Sequence, residues 1–234
     1  MALKSMQAVA LLGLAGCVIT TTPTGETRRE SRSIDLDKSE MVRVDLKMGA
    51  GELKVSGGAL KLMEADFTYN VPSWKPDVRY SSGGFRGNLT VEQPGKSSST
   101  LGNATYSWDI RLSDDVPLDV GVKFGAGEAR MDIGSLALRS LEVNMGVGEL
   151  KLDLRGRPKR DYSVNIHGGV GSATVRLPKD VGIVADAAGG IGGISVSGLR
   201  KEGGRWVSED YQHAKVTIRL SIRGGVGEIK LVAD

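Results

Sequence analysis

The stretch LEVNMGVGELKL, residues 141–152, decides how this chain folds. Leu141, Val143, Met145 and Val147 occupy odd positions, whereas Leu150, Leu152 and Leu154 occupy even ones. Period-two alternation places an apolar set on one face of a half-buried strand. A slip of one residue would turn the second half inside out. One face stays buried only if the chain bends or bulges in between, which glycine permits through positive φ and the absence of Cβ. Gly146-Val147-Gly148 is therefore read as a corner between two strands.

Five further copies of the phrase extend the argument outward. They are GAGELKV from Gly49, GAGEARM from Gly125, GVGSATV from Gly169, GIGGISV from Gly190 and GVGEIKL from Gly225. Their central residues are Ala50, Ala126, Val147, Val170, Ile191 and Val226, with successive gaps of 76, 21, 23, 21 and 35 residues. Self-similarity near 20 residues marks a stacked β architecture in which each coil covers its neighbour. The fold class expected is all-β: a stacked, parallel β-helix-like solenoid of about 21-residue Gly-x-Gly repeats. Inward columns follow: Leu53, Ala129, Leu150, Ala173, Ile194 and Ile229 in one, Val55, Met131, Leu152, Val175, Val196 and Leu231 in the other. No coil can bury its apolar face alone, so the stack folds as a unit.

The long first gap holds different material. Residues 60–71, 77–81, 88–92 and 105–112 read as strands, separated by turns rich in Pro, Gly and Ser. Phe67, Tyr69, Trp74, Tyr80, Phe85, Tyr106 and Trp108 are seven of the 11 aromatics. Such an inserted antiparallel segment near the amino terminus either closes one end of the stack or offers Trp74, Tyr80 and Trp108 as a surface for a glycan or protein partner. Exposure of the tryptophans decides between the two.

Net charge is +3, from 31 basic and 28 acidic residues, a balance too even to argue for nucleic acid. The cluster Arg155, Arg157, Lys159 and Arg160 reads as a solvated turn between coils, or else as a contact for anionic lipid or envelope polymer.

The first residues carry an address. Lys4 precedes an apolar stretch from Ala8 to Leu14, followed by Leu14-Ala15-Gly16-Cys17. The stretch is far short of the roughly 20 apolar residues that a membrane span needs, and its form is that of a secretory signal. The ending resembles the bacterial lipoprotein signal, which implies fatty acylation of Cys17, the only cysteine, as the new first residue. Val18 follows, not Asp, which by the same resemblance implies outer-membrane attachment in a bacterium with two membranes. The expected organisation is a signal peptide at 1–16, a flexible tether at 17–33, an amino-terminal part with the insertion at 34–118, and repeat coils at 119–234.

The run from Met48 to Gln93, beginning MGAGELKVSGGALKLMEADFTYNVPSWKPDVRY and closing GNLTVEQ, resembles the amino-terminal part of the bacterial toast-rack family. The later Gly-x-Gly coils are similar to the carboxy-terminal domain of LiaF-type proteins and to adhesin-type domains. The resemblance spans about residues 40–234 and implies an envelope-located β-solenoid; LiaF proper restrains a stress-sensing histidine kinase. LiaF-type proteins carry transmembrane helices ahead of the domain, where this chain has the lipoprotein-like signal. The resemblance supplies no catalytic residues.

Other chemistries fit poorly. Calcium-binding nonapeptide coils need Asp where Ala173, Ile194 and Ile229 stand, and dinucleotide loops need Gly-x-Gly-x-x-Gly opening a helix. Glu52, Glu128, Glu149 and Glu228 share one outward position, and stacking at about 4.8 Å would bring Glu128 and Glu149 near the spacing of a glycosidase pair. Lys54, Arg130, Lys151 and Lys230 sit two residues on, so an alternating charge ladder is the expected outcome. His167 and His213 lack companions at metal-ligand spacing. The expectation is a non-enzymatic envelope module without cofactor or metal, acting as a binding scaffold linked to envelope-stress sensing. Its partners would be the membrane, through Cys17, and an envelope protein or polysaccharide. A second reading is an adhesin or self-assembling protein that forms homo-oligomers through a strand edge exposed where the chain ends after Leu231.

Overall fold

The computed structural model describes residues 24–95 and 104–234. The signal at 1–16, Cys17 and the first part of the tether lie outside the described residues. Among the described residues, fourteen strands run in chain order. They are β1 (Arg28–Ile34), β2 (Met41–Ser56), β3 (Met63–Tyr69), β4 (Asp77–Ser82), β5 (Arg86–Glu92), β6 (Tyr106–Leu112) and β7 (Leu118–Asp132). Then come β8 (Leu138–Asp153), β9 (Tyr162–Leu177), β10 (Gly182–Ile191), β11 (Ile194–Ser197), β12 (Arg200–Glu202), β13 (Arg205–Val207) and β14 (Thr217–Ala233). The helical element among the described residues is a single 3-10 turn, Pro72–Trp74.

The long strands β2, β7, β8, β9 and β14 each pass through a Gly-x-Gly and pair in parallel, glycine beside glycine. The second glycine of every copy has φ between +126° and +140°, which is the bend that the parity slip requires. The first glycine answers a different need. A Cβ added to Gly125 would fall on the carbonyl oxygen of Gly49, and one on Gly146 would press on that of Gly125. Each strand is thus bent into two arms whose inner faces meet in one core, and the stack of arms makes two walls. Val44, Leu46, Met48, Leu53 and Val55 of β2 are all buried, as are Leu141, Val143, Leu150 and Leu152 of β8.

The amino-terminal end is closed by two leaflets. On the first arm of β2, β5 pairs in parallel over Met41–Lys47, and β4 pairs antiparallel to β5. On the second arm, β6 pairs in parallel over Glu52–Ser56, followed by antiparallel β3 and β1. One apolar cluster runs from these leaflets through β7 to β14, so the core is continuous across residues 118 and 119.

Two expectations change. The segment expected to be a tether contributes a strand: Arg28–Ile34 pairs along its whole length with Met63–Tyr69. Its side chains are mostly exposed, so no apolar period marked it. As an edge strand it is held by the backbone ladder, by the ion pair of Glu30 with Lys75 and by the hydrogen bond that Ser31 donates to Asp66.

The second change concerns order. The sixth Gly-x-Gly strand, β14, lies between the fourth and the fifth, paired with β9 on one side and with β10 and β11 on the other. The strand that ends the sequence is therefore interior, and the expected open edge after Leu231 does not exist. Among the described strands, the open edge belongs to β10 and β11. The inward columns hold except at that end: Ile229 is 5% exposed but Ile194 is 38% exposed. The central residues Val147, Val170, Val226 and Ile191 also stand outside, lining the corner.

Candidate functional site

The proposed aromatic surface is core. Trp108 is 0% exposed and Trp74 only 8%, and both pack edge-on against Tyr106, at 5.7 and 5.4 Å between ring centres. Phe67 meets Trp108 at 5.6 Å and 79°. These rings fill the space between the second-wall leaflet and the rest of the core, where edge-to-face contacts add to area burial. Tyr80 remains half-buried over Gly87, and burial raises its phenol above the ordinary value. The reading of Trp74, Tyr80 and Trp108 as a partner surface is corrected accordingly. The alternation of β3 and β6 already turned Phe67, Tyr69, Tyr106 and Trp108 toward the core.

On the outer face of the second wall, Glu128 and Glu149 do lie on neighbouring strands. Lys151 stands between them, its Nζ 3.1 Å from an oxygen of each, while Arg130 reaches Glu128 at 2.8 Å. The hydrogen bond from Lys151 leads in holding the Glu128 carboxyl below its usual range. A carboxylate held ionised in this way is a poor general acid.

The Arg155 guanidinium similarly lowers Asp153, and that of Arg223 lowers Asp186. Groups whose folded values are depressed stabilise above the ordinary carboxylate pKa and lose that contribution as pH falls through the folded value. The melting temperature is therefore expected to be flat near neutrality and to fall below about pH 4. The fall should be modest and reduced by salt, because the pairs are exposed. Calorimetry across pH checks this, and greater stability in acid would contradict it.

The concave candidate lies on the first wall. A groove of about 580 Å³ runs between the outer face of β9, β14 and β10 and the hairpin formed by β12 and β13. Ser163, Asn165 and Ser221 supply neutral hydroxyl and amide groups along it; Arg205, Arg219 and Tyr211 line it further. The register places Asn165 beside Ser221 and Ser221 beside Asp186. Asp186 is engaged by Arg223 at 2.8 Å, Arg219 by Asp161 at 3.2 Å, and Glu202 by Arg200. The hairpin is held near the wall by antiparallel pairing of Val184 and Ala185 with Val207 and Trp206. Lys201 caps the Trp206 ring at 5.4 Å. Sequence reasoning missed this groove because its residues become neighbours only when β14 enters between β9 and β10.

His167 is exposed on the outer face of β9, and His213 bonds Asp210 at 2.9 Å in an exposed turn. No three His, Cys, Asp or Glu side chains converge among the described residues. No helix among them is long and apolar enough to cross a membrane.

Residues 23–176 match the family model described as the N-terminal domain of toast_rack. The chain belongs to the toast-rack family. Residues 125–231 of this toast-rack protein also match the model for the cell wall-active antibiotics response LiaF, C-terminal. Among solved structures, it is similar to a Clostridium sporogenes protein described as a "putative cell adhesion protein". That match has 32% identity and TM-score 0.84, covering 89% of this chain and 100% of the other. Two proteins described as a "putative adhesin" also match. The one from Bacteroides fragilis is 13% identical with TM-score 0.36, over 89% of this chain and 98% of its own. The one from Parabacteroides distasonis is 12% identical with TM-score 0.28, over 88% and 97%. No curated protein matches the sequence. The LiaF-like match and the Clostridium sporogenes relative support a place at the cell envelope or surface.

Proposed function

We propose that this toast-rack protein is a non-catalytic binding module, anchored in the envelope by a lipid on Cys17, that holds a polar envelope polymer in the first-wall groove. The observation that carries the reading is the groove itself: a rigid parallel sheet as floor, neutral hydrogen-bonding groups along it, and Tyr211 and Arg205 in its lining. Such a lining suits a glycan, whose hydroxyls need paired donors and acceptors and whose ring faces stack on aromatic carbon. The volume lies within the range of about 300–1,000 Å³ common for ligand sites. The carboxylates nearest the groove are tied up in ion pairs, which favours holding over hydrolysis. The similarity to the Clostridium sporogenes "putative cell adhesion protein" agrees with binding outside the cell.

A second reading, regulation of an envelope-stress kinase, is favoured by the LiaF-like match over residues 125–231, which includes the groove-lining strands.

The full chain should be retained by isolated wall polymer. Tyr211→Ala and Arg205→Ala should each weaken retention about tenfold, the loss of roughly one good contact of 1.4 kcal/mol, with the melting temperature nearly unchanged. Cys17→Ser should move the protein from the membrane to the soluble fraction. Unaltered retention in both groove variants, together with a kinase recovered by crosslinking in native membranes, would favour the regulatory reading. Membrane retention of Cys17→Ser would overturn the anchor.

A further inference from the structure

The two ends of the stack are protected very differently. At the amino-terminal end the outermost strands are β1, with Arg28, Arg29, Glu30 and Arg32, and β4, with Asp77 and Arg79. Charge on an outermost strand discourages pairing with another chain. At the opposite end the outermost chain is the fifth Gly-x-Gly coil, and it carries no charge from Ala187 to Gly198. The hairpin β12–β13 covers this coil only at Val184 and Ala185. Beyond them, residues 186–197 pair with β14 on one side and with no described strand on the other.

The core is unsealed at the same place. Ile194 occupies the column in which Ile229 and Leu150 are buried, yet it is 38% exposed. At the corner, Ile191 is 75% exposed, more than any of its stacked counterparts Val147, Val170 and Val226. Repeat stacks ordinarily carry a polar cap at each end because a terminal coil leaves its apolar face uncovered. Here the cap is partial.

We propose that a second copy of this chain completes the cap, the two coils pairing antiparallel about a two-fold axis through the corner at Ile191 and Gly192. Three features select a second copy over an extended peptide of another protein. The open edge is bent at Gly192, whose φ is +140°, so a straight strand can follow one arm but not both. A copy turned about an axis bisecting the bend presents the same bend in reverse, laying residues 186–191 of one protomer along residues 192–197 of the other. The open part of β10 runs from Asp186 to Ile191 and β11 from Ile194 to Ser197, so each open arm can lie along the other copy's without running under the hairpin. Finally, an isologous contact pairs residue i of one copy with residue j of the other, and sets only the groups near the axis beside their own equivalents, where like charges repel. The corner at Ile191 and Gly192 carries no charge, and Asp186, at the far end of the run, is held by Arg223. Association stops at two protomers because each protomer has one such end. The inference is independent of the groove, which opens on the outer face of the first wall.

The test uses the full chain in native membranes and in detergent. An Ile191→Cys variant, oxidised in the membrane, should give a covalent dimer through the symmetry axis; Val147→Cys, three strands from the edge, should not. The unaltered chain, whose only cysteine is Cys17, is the blank. In detergent, sedimentation should give twice the protomer mass. Ile191→Lys, which alters only an exposed side chain, should raise the dissociation constant at least tenfold while circular dichroism stays unchanged. A monomer at all concentrations would overturn the proposal, as would equal crosslinking of Val147→Cys or an Ile191→Lys dimer of undiminished affinity. A monomer whose 186–197 amides resist hydrogen exchange would overturn it in favour of a segment of the same chain lying on the edge.

Discussion

Replacing Gly171 by alanine should unfold this protein at temperatures where the Gly168→Ala variant is intact. The two glycines are three residues apart in one coil and differ in what a methyl group meets. At Gly171, φ is +140° and the added Cβ would fall on the Gly148 carbonyl oxygen of the neighbouring coil. The backbone conformation alone costs an alanine about 1–2 kcal/mol. Forcing the stacked strands apart adds an overpacking penalty, for a total of about 2–5 kcal/mol. At Gly168, φ is ordinary and nothing lies within 4 Å of the added Cβ. Met48, Phe124 and Met145 hold the equivalent inward position in earlier coils, whereas Gly168, Gly224 and Gly189 leave a cavity of about 30 Å³ bounded by Met145, Ile166, Ile222 and Ile229. Alanine at 168 restricts the unfolded chain and partly fills that space, a gain of about 0.4–1 kcal/mol. Thermal unfolding of both variants reads the difference. Equal losses at the two positions would mean that the glycines are not stacked corners.

Trp108→Ala should cost about 3–5 kcal/mol, the ordinary penalty for deleting a buried aromatic. For a chain of this size that lowers the melting temperature by roughly 6–20 °C. Phe67 and Tyr106 lose their edge-on partner, and the second-wall leaflet built from β6, β3 and β1 loses its anchor in the core. Binding of wall polymer, measured below the lowered transition, should be unchanged because the groove begins at β9, four strands from β6 in the sheet order. The converse result, an unchanged melting temperature with polymer retention lost, would return Trp108 to the role of a surface platform.

Much of the architecture can be read from residues. Alternation with a one-residue slip gave the bent strand, and the stacked copies of Gly-x-Gly gave the parallel register, because the slip and the close backbone approach both demand glycine at fixed positions. The strands of the insertion were visible in the same way. Spatial order was not, since a strand's own sequence says little about its neighbour. A hint lay in the spacing: the last gap is 35 residues where its neighbours are 21 to 23, and the surplus is the segment holding β12 and β13. A second hint is composition. Ile218, Leu220, Ile222, Ile229 and Leu231 of β14 suit an interior strand, while the fifth coil offers Ala185, Ala187 and Gly189 in the matching inward places. The candidate groove was hidden for the same reason, because Asn165, Ser221 and Asp186 are distant in sequence and adjoin only through that insertion. The edge strand β1 escaped notice since its alternation carries little apolar content.

Disulfide mapping along the corner tests the strand order most directly. In a Cys17→Ser background, pairs of cysteines would replace the central residues of the fourth, fifth and sixth Gly-x-Gly copies. Neighbouring strands bring such residues within the Cα separation of about 4.4–6.8 Å that a disulfide accepts, and strands two apart do not. The pairs Val170→Cys with Val226→Cys, and Val226→Cys with Ile191→Cys, should close readily within one chain, while Val170→Cys with Ile191→Cys should form no disulfide within one chain. Closure of that last pair, with the first two left open, would place the coils in the order of the sequence and contradict the interior position of β14.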